Sequence, residues 1–127
     1  MKSAFDFTVF PPAPSLEIRL GAPGESLSIG PHRALVDTGA DICIVPGIHL
    51  VRLDLPVDDE RHLRTYGGQR RRVRIYTIDL GVGRLRLPSV ECLADDVESE
   101  LILGRNALNK LVLLLDGPSS MLDIRGA

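Results

Sequence analysis

An all-β fold, arranged as a small barrel or a sandwich, is what this sequence predicts, and three observations point there. Val, Ile and Leu recur in short runs bounded by Gly and Pro. No stretch sustains a long helical period. The candidate strands follow one another closely, which leaves little room for alternating helices.

The first candidate strand is Phe5 to Phe10, followed by a stiff connector at Pro11, Pro12 and Pro14, where each proline lacks the N–H a ladder needs. Leu16 to Leu20, Ser26 to Ile29, Ala34 to Asp37 and Ile42 to Val45 come next, each a short apolar or alternating run. Pro46 ahead of GIHLVRLD suits the start of one short helix. His62 to Tyr66 and Arg71 to Leu80 flank Gly67 and Gly68, and adjacent glycines readily take the positive φ of a hairpin tip. That pattern predicts a long, mobile β-hairpin. Arg84 to Leu93 and Leu101 to Leu103 follow, and Gly104 leads into RNALNK, enough for a turn or two of helix. Leu111 to Leu115 and Met121 to Ile124, separated by Gly117 and Pro118, make a second hairpin.

With 127 residues, the chain is long enough for one domain, residues 1–127, and too short for two ordinary ones. Hydrophobic residues make up 44%, charged ones 25%, and the formal charge is −2, which describes a globular protein with no overall pull toward nucleic acid. Arg70, Arg71, Arg72 and Arg74 concentrate positive charge. They read as a solvated strand face, because a nucleic-acid patch wants interleaved aromatics and only Tyr76 is near. The opening MKSAFDFTVFPPAP has no apolar run of signal-peptide length, and LVLLL at 111–115 is far too short to cross a bilayer. A cytoplasmic protein with no membrane partner is expected, and with it reduced, buried Cys43 and Cys92. His32, His49 and His62 do not fall at zinc-ligand spacing with either cysteine, so no metal is expected. Neither a phosphate-cradling glycine loop nor a serine nucleophile elbow occurs, and no cofactor is expected.

One stretch demands more than packing. In RALVDTGADICIVP, residues 33–46, an apolar strand runs directly into Asp37. An ionised carboxylate there is costly unless hydrogen bonds or a partner charge offset its desolvation. An Asx-type turn, with Asp37 capping its own backbone and Thr38 and Gly39 completing the bend, is the ordinary explanation.

The flanks add to it. Ala34-Leu35-Val36 precede Asp37-Thr38-Gly39, Ala40-Asp41 follow, and some sixty residues later comes Leu101-Ile102-Leu103-Gly104-Arg105-Asn106. This combination resembles the retropepsin-like (retroviral-type) aspartic proteases and their bacterial single-domain relatives, over about 16–124 in order. The resemblance implies a closed-barrel-like acid protease subunit with one short C-terminal helix, active as a two-fold homodimer on a peptide or protein substrate. It implies that Asp37 is catalytic and that Thr38, Gly39 and Ala40 support its loop. Thr38 would lock the two loops of a dimer together. Gly39 would let the backbone approach the carboxylates, its ordinary alternative being positive φ. Asp41 and Arg105 would form an ion pair steadying the loop, with Ile102 and Leu103 as an apolar floor. Tyr66, Gly67 and Gly68 would be the tip of a substrate-covering flap, although Tyr-Gly there is closer to the two-lobed aspartic proteases.

The chemistry needs two carboxyl groups. Hydrolysis without a metal or a covalent intermediate requires one group to take a proton from water and another to give one to the carbonyl oxygen. Two carboxyls sharing one proton do both, as aspartic proteases in general illustrate. This chain has one such motif and no internal repeat, so the second carboxylate must come from another copy. A dimeric binding or scaffold domain of the same fold, without turnover, is the alternative.

Overall fold

The computed structural model describes residues 1–64, 67–96 and 100–127. Among these, ten strands and two short helices follow in the order β1 (Lys2–Ala4), β2 (Ser15–Gly21), β3 (Ile29–Val36), β4 (Cys43–Pro46), α1 (Gly47–Arg52), β5 (Asp59–Arg64), β6 (Arg70–Val82), β7 (Leu85–Asp95), β8 (Leu101–Leu103), α2 (Arg105–Leu108), β9 (Val112–Asp116) and β10 (Met121–Arg125). No helix of the described residues is long and apolar enough to cross a membrane.

Seven strands form one sheet in the order β2-β3-β8-β4-β7-β6-β5, and β2 also pairs with β6. That extra pairing closes β2, β3, β8, β4, β7 and β6 into a barrel and leaves β5 outside it as the second arm of the β5–β6 hairpin. The period-2 pattern decides which residues fill the interior. On β2, Leu16, Ile18 and Leu20 are buried while Glu17 and Arg19 face solvent. Ile78, Leu80 and Val82 from β6 and Leu103 from β8 meet them in the main core. Each such side chain contributes about 1.5–3 kcal/mol by leaving water. A second, smaller cluster of Val73, Ile75 and Leu93, with Ile42 and Ile44 against it, lies apart from the main core under the β5–β6 hairpin.

The closing seam contains a buried carboxylate. The ladder between β6 and β7 shifts register between Ile78 and Leu80, and the residue in the irregularity is Asp79, only 2% exposed. It accepts N–H groups from Gly24 (3.0 Å) and Ser89 (2.8 Å) and two hydrogen bonds from the Arg86 guanidinium (3.0 and 2.7 Å). Burial would push the Asp79 carboxyl up, but these donors together hold it below its ordinary value. It thereby ties the turn after β2 to β6 and β7 at the point where Gly21 pairs with Asp79 itself.

A smaller sheet, β1-β10-β9, gathers the two ends of the chain. Its β9–β10 hairpin matches the reading of Leu111–Leu115 and Met121–Ile124, and Leu122 and Ile124 are fully buried.

Three local expectations differ. Phe5–Phe10 is not a strand: β1 ends at Ala4, and the Asp6 carboxylate takes the Thr8 N–H (2.9 Å) and hydroxyl (2.6 Å), so a side chain displaces ladder bonding. Asp6 then meets Ala13 in an isolated bridge, leaving Phe7 and Phe10 exposed. Of Ser26–Ile29 only Ile29 enters a strand, because local bonds from Glu25 to Ala22 and from Ser28 to Ser26 make turns. The strand expected at His62–Tyr66 starts earlier, at Asp59. Both short helices are present: α2 is the C-terminal one, and α1 follows Pro46.

Candidate active site

The last residues of β3 run parallel to β8, pairing Val36 with Leu103, and the Asp37 N–H donates to the Leu103 carbonyl (3.0 Å). Past that bond the chain turns. Asp37 Oδ1 accepts the Gly39 N–H (2.8 Å), and the Asp37 carbonyl accepts the Ala40 N–H (3.2 Å). The Asx-type turn expected from the sequence is therefore present, and it fixes one carboxylate oxygen while Asp37 remains exposed.

Gly39 does not have a left-handed backbone. A Cβ there would sit 3.2 Å from Asp37 Oδ1, so the carboxylate occupies the space a side chain would need. Closeness, not positive φ, is the reason for this glycine.

Arg105 holds the loop from beneath. Its backbone N–H donates to the Ala40 carbonyl (2.8 Å), its guanidinium donates to the Thr38 carbonyl (2.8 Å), and it also pairs with the Asp41 carboxylate. Thr38, Ala40 and Asp41 are thus held by one side chain and its own amide, while Gly39 is held by Asp37. Gly104 brings that residue into place: a Cβ on Gly104 would meet the Ile42 backbone at 2.6–2.9 Å. Any larger residue would push α2 off the loop.

Asn106 and Cys43 do more than packing, a role the sequence did not reveal. Asn106 Oδ1 accepts the Cys43 N–H (3.0 Å) while its Nδ2 donates to the Glu91 carbonyl (2.7 Å), tying β4 to β7. The Cys43 thiol donates to Asn106 Oδ1 (3.3 Å) and its sulfur accepts the Gly104 N–H (3.4 Å). Burial pushes the Cys43 thiol up. Cys43 and Cys92 are register partners on β4 and β7 and both are free. The only sequence signal for the tie was an asparagine following Gly104-Arg105.

Beside the loop lies a cavity of about 240 Å³ whose walls include Asp41, Ile42, Val73, Ile75 and Leu93. A neighbouring one of about 220 Å³ shares Leu63, Val73 and Leu93 and reaches Ile44. Together they form an apolar groove roofed by the β5–β6 hairpin. Of the expected flap residues, Gly67 and Gly68 are described, and Gly68 has φ +75°. Tyr66 lies outside the described residues. Arg72 and Arg74 face away from this groove, pairing with Glu60 and Asp96. A larger cavity, about 420 Å³, is bounded by β1 and β2 and includes none of residues 37–41. Among the described residues, no three of His, Cys, Asp and Glu stand close enough together to hold a metal ion.

A family model described as "gag-polyprotein putative aspartyl protease" matches residues 28–110, the span that carries both the 37–41 loop and Arg105. Among solved structures, the chain is similar to a retropepsin-like aspartic protease from Rickettsia conorii at 14% identity, over 96% of this chain and 86% of that one, with a TM-score of 0.65. It is also similar to the EIAV protease solved in complex with the inhibitor HBY-793, at 19% identity, over 80% of this chain and 89% of that one, with a TM-score of 0.57. No curated protein matches the sequence. At these identities the structural likeness speaks for the fold.

Proposed function

This chain belongs to the retropepsin-like aspartyl protease family, and from that premise we propose that it is an aspartic endopeptidase completed by a second copy of itself. The observation that carries the reading is the Asp37 carboxylate: exposed, aimed by its own turn, and supported by a loop that Arg105 holds in three places.

In the proposed dimer the two Asp37 side chains face each other across a two-fold axis and share one proton. Held within a few ångströms they cannot both ionise cheaply, and the resulting pair of pKa values belongs to the dyad. The ionised member takes a proton from a water as the oxygen attacks the peptide carbonyl. The protonated member gives its proton to the carbonyl oxygen, and the same groups return a proton to the leaving amine. Gly39, without a side chain, leaves room for water and substrate beside the carboxylates. The apolar groove at Ile42, Val73 and Leu93 accepts an aliphatic substrate side chain. Gly67 and Gly68, at the end of the β5–β6 hairpin, belong to a flap that closes over the bound peptide.

The test is cleavage of an unfolded protein by the purified chain between acidic and neutral pH, beside Asp37→Asn. The substitution preserves the shape of the turn and removes the titrating carboxylates from both halves of the dyad. We expect kcat/KM to fall at least about 10³-fold with the fold intact. Undiminished cleavage by the variant overturns this site.

A further inference from the structure

The arginines of the β5–β6 hairpin divide by face. In an antiparallel pair, residues directly opposite share a face and successive residues alternate. Arg61 pairs with Val73 and Leu63 with Arg71, so Arg61, Leu63 and Arg71 lie on the same side as Val73 and Ile75, the side that covers the apolar groove. Arg70, Arg72 and Arg74 lie on the outer side.

They also differ in what already neutralises them. On the outer side, Arg72 pairs with Glu60 and Arg74 with Asp96 (3.3 Å). On the inner side, Arg61 is held by Asp59 (3.1 Å) and Glu91 (2.8 Å), at the cavity that also includes Asp41. Arg71 makes no side-chain hydrogen bond or ion pair among the described residues. It borders the next cavity along the groove, about 220 Å³, whose apolar wall includes Ile44, Val73 and Leu93.

We propose that Arg71 is a specificity residue that selects peptides carrying an acidic side chain, glutamate above all, for this second cavity. The inference rests on the reading above, in which the groove beside Asp37 receives the substrate. The cavity at Ile42, Val73 and Leu93 takes an aliphatic side chain, whereas the one beyond it is apolar along its wall and cationic at Arg71. Glutamate matches that combination. Its two methylenes lie along Val73 and Leu93, and its carboxylate meets a guanidinium that binds such groups through two parallel N–H···O bonds. A neutral or basic side chain leaves Arg71 unpaired as peptide and hairpin exclude water, which is the source of the discrimination. Asp95 is the other charge on this cavity, and it has an interaction of its own while Arg71 has none.

The test compares peptides that differ in one side chain. A degenerate peptide library, with one position at a time fixed as Glu, Gln or Lys, is cleaved by the parent at low substrate concentration, where the rate reads kcat/KM. At one position near the cut bond, Glu should exceed Gln about threefold or more. Arg71→Gln should erase that ratio, and Arg71→Glu should favour Lys instead. Arg70→Gln, on the outer face, should preserve the Glu preference, which separates contact from overall charge. Both positions are exposed, and circular dichroism checks that each variant folds. A preference that survives Arg71→Gln, or a parent that favours Gln or Lys at every position, overturns the proposal and leaves the protease reading standing. The same libraries are also passed over immobilised Asp37→Asn protein, where retention needs no turnover. Glu peptides should be retained over Gln peptides, and adding Arg71→Gln should remove the difference. If that holds while the parent cleaves nothing, the acidic-peptide site stands and the protease reading falls. Absence of both cleavage and selective retention overturns both.

Discussion

Two aspartates divide this molecule. Asp79, at the seam that closes the barrel, is almost wholly buried and engages Gly24, Ser89 and Arg86 of its own chain. Asp37, at the end of β3, is exposed and accepts one bond from Gly39, within its own turn. The first carboxylate has its charge compensated from every side, which is what a structural role requires. The second is held in place by its loop and is open to solvent, which is what the proposed acid–base role requires. Burial with full satisfaction and exposure with fixed geometry are opposite solutions for the same side chain.

The sharpest way to break this contrast is to make the same replacement at both positions and compare stability. Asp79→Asn leaves Arg86 facing a neutral amide and, with one oxygen in place of two, loses the acceptor for one of the two backbone N–H groups. We expect a loss of about 2 kcal/mol in denaturant unfolding, below the ~3–5 kcal/mol of a fully buried pair because the Arg86 side chain is 40% exposed. Asp37→Asn should stay within about 0.5 kcal/mol of the parent. Equal losses would mean that Asp37 is a structural residue too. Acid should narrow the gap between the parent and Asp79→Asn. The folded Asp79 carboxyl titrates below the unfolded one, so its contribution is complete above the ordinary carboxylate value near pH ~4 and is lost as pH falls through the lower folded value. The parent should therefore lose stability on that limb more steeply than Asp79→Asn does.

Arg105 offers a smaller test of what fixed geometry means. Lysine keeps the charge but cannot reach the Thr38 carbonyl and the Asp41 carboxylate together. Arg105→Lys should cost about 1 kcal/mol of stability and, through a loosened loop, lower kcat by about tenfold with little change in KM. A KM effect alone would place Arg105 in substrate binding instead.

Asp37 was legible in the sequence and Asp79 was not, for a physical reason. Asp37 announces itself by breaking an apolar run with a turn-forming Thr38-Gly39, and the spacing to Leu103-Gly104-Arg105 gives it a second witness. Asp79 sits in IDLGV, where an isolated charge in an alternating strand reads as solvent-facing. It lies on the face opposite Ile78, Leu80 and Val82 and is buried because Arg86, Ser89 and the turn after β2 cover it, which depends on β7 and that turn rather than on any local pattern. The barrel strands were visible because burial imposes a period of two on them. Phe5–Phe10 misled because Asp6 and Thr8 bond to each other locally, which hydrophobicity does not reveal. Likewise the Asn106 tie depends on three elements meeting, and only the folded chain brings them together.

The smallest expected effect lies at a titratable group that, unlike Asp79, burial leaves unsatisfied. His49 of α1 packs its ring against His32 of β3, centroids 4.5 Å apart, and its Nδ1 is buried with no partner among the described residues. Burial, then the nearby His32 and Arg52, hold the His49 imidazole below its ordinary value. Above about pH 6.5 the ring is neutral in both folded and unfolded chains and contributes nothing to the pH dependence. As pH falls below that value the unfolded chain takes up a proton that the folded chain resists, so stability declines and then levels off once the folded ring also protonates. The parent should lose roughly 1–3 °C in Tm across this window, whereas His49→Gln should be flat there and retain the steeper loss at lower pH that belongs to Asp79. If His49→Gln follows the parent through the window, the acid sensitivity arises elsewhere and the ring contact is ordinary packing.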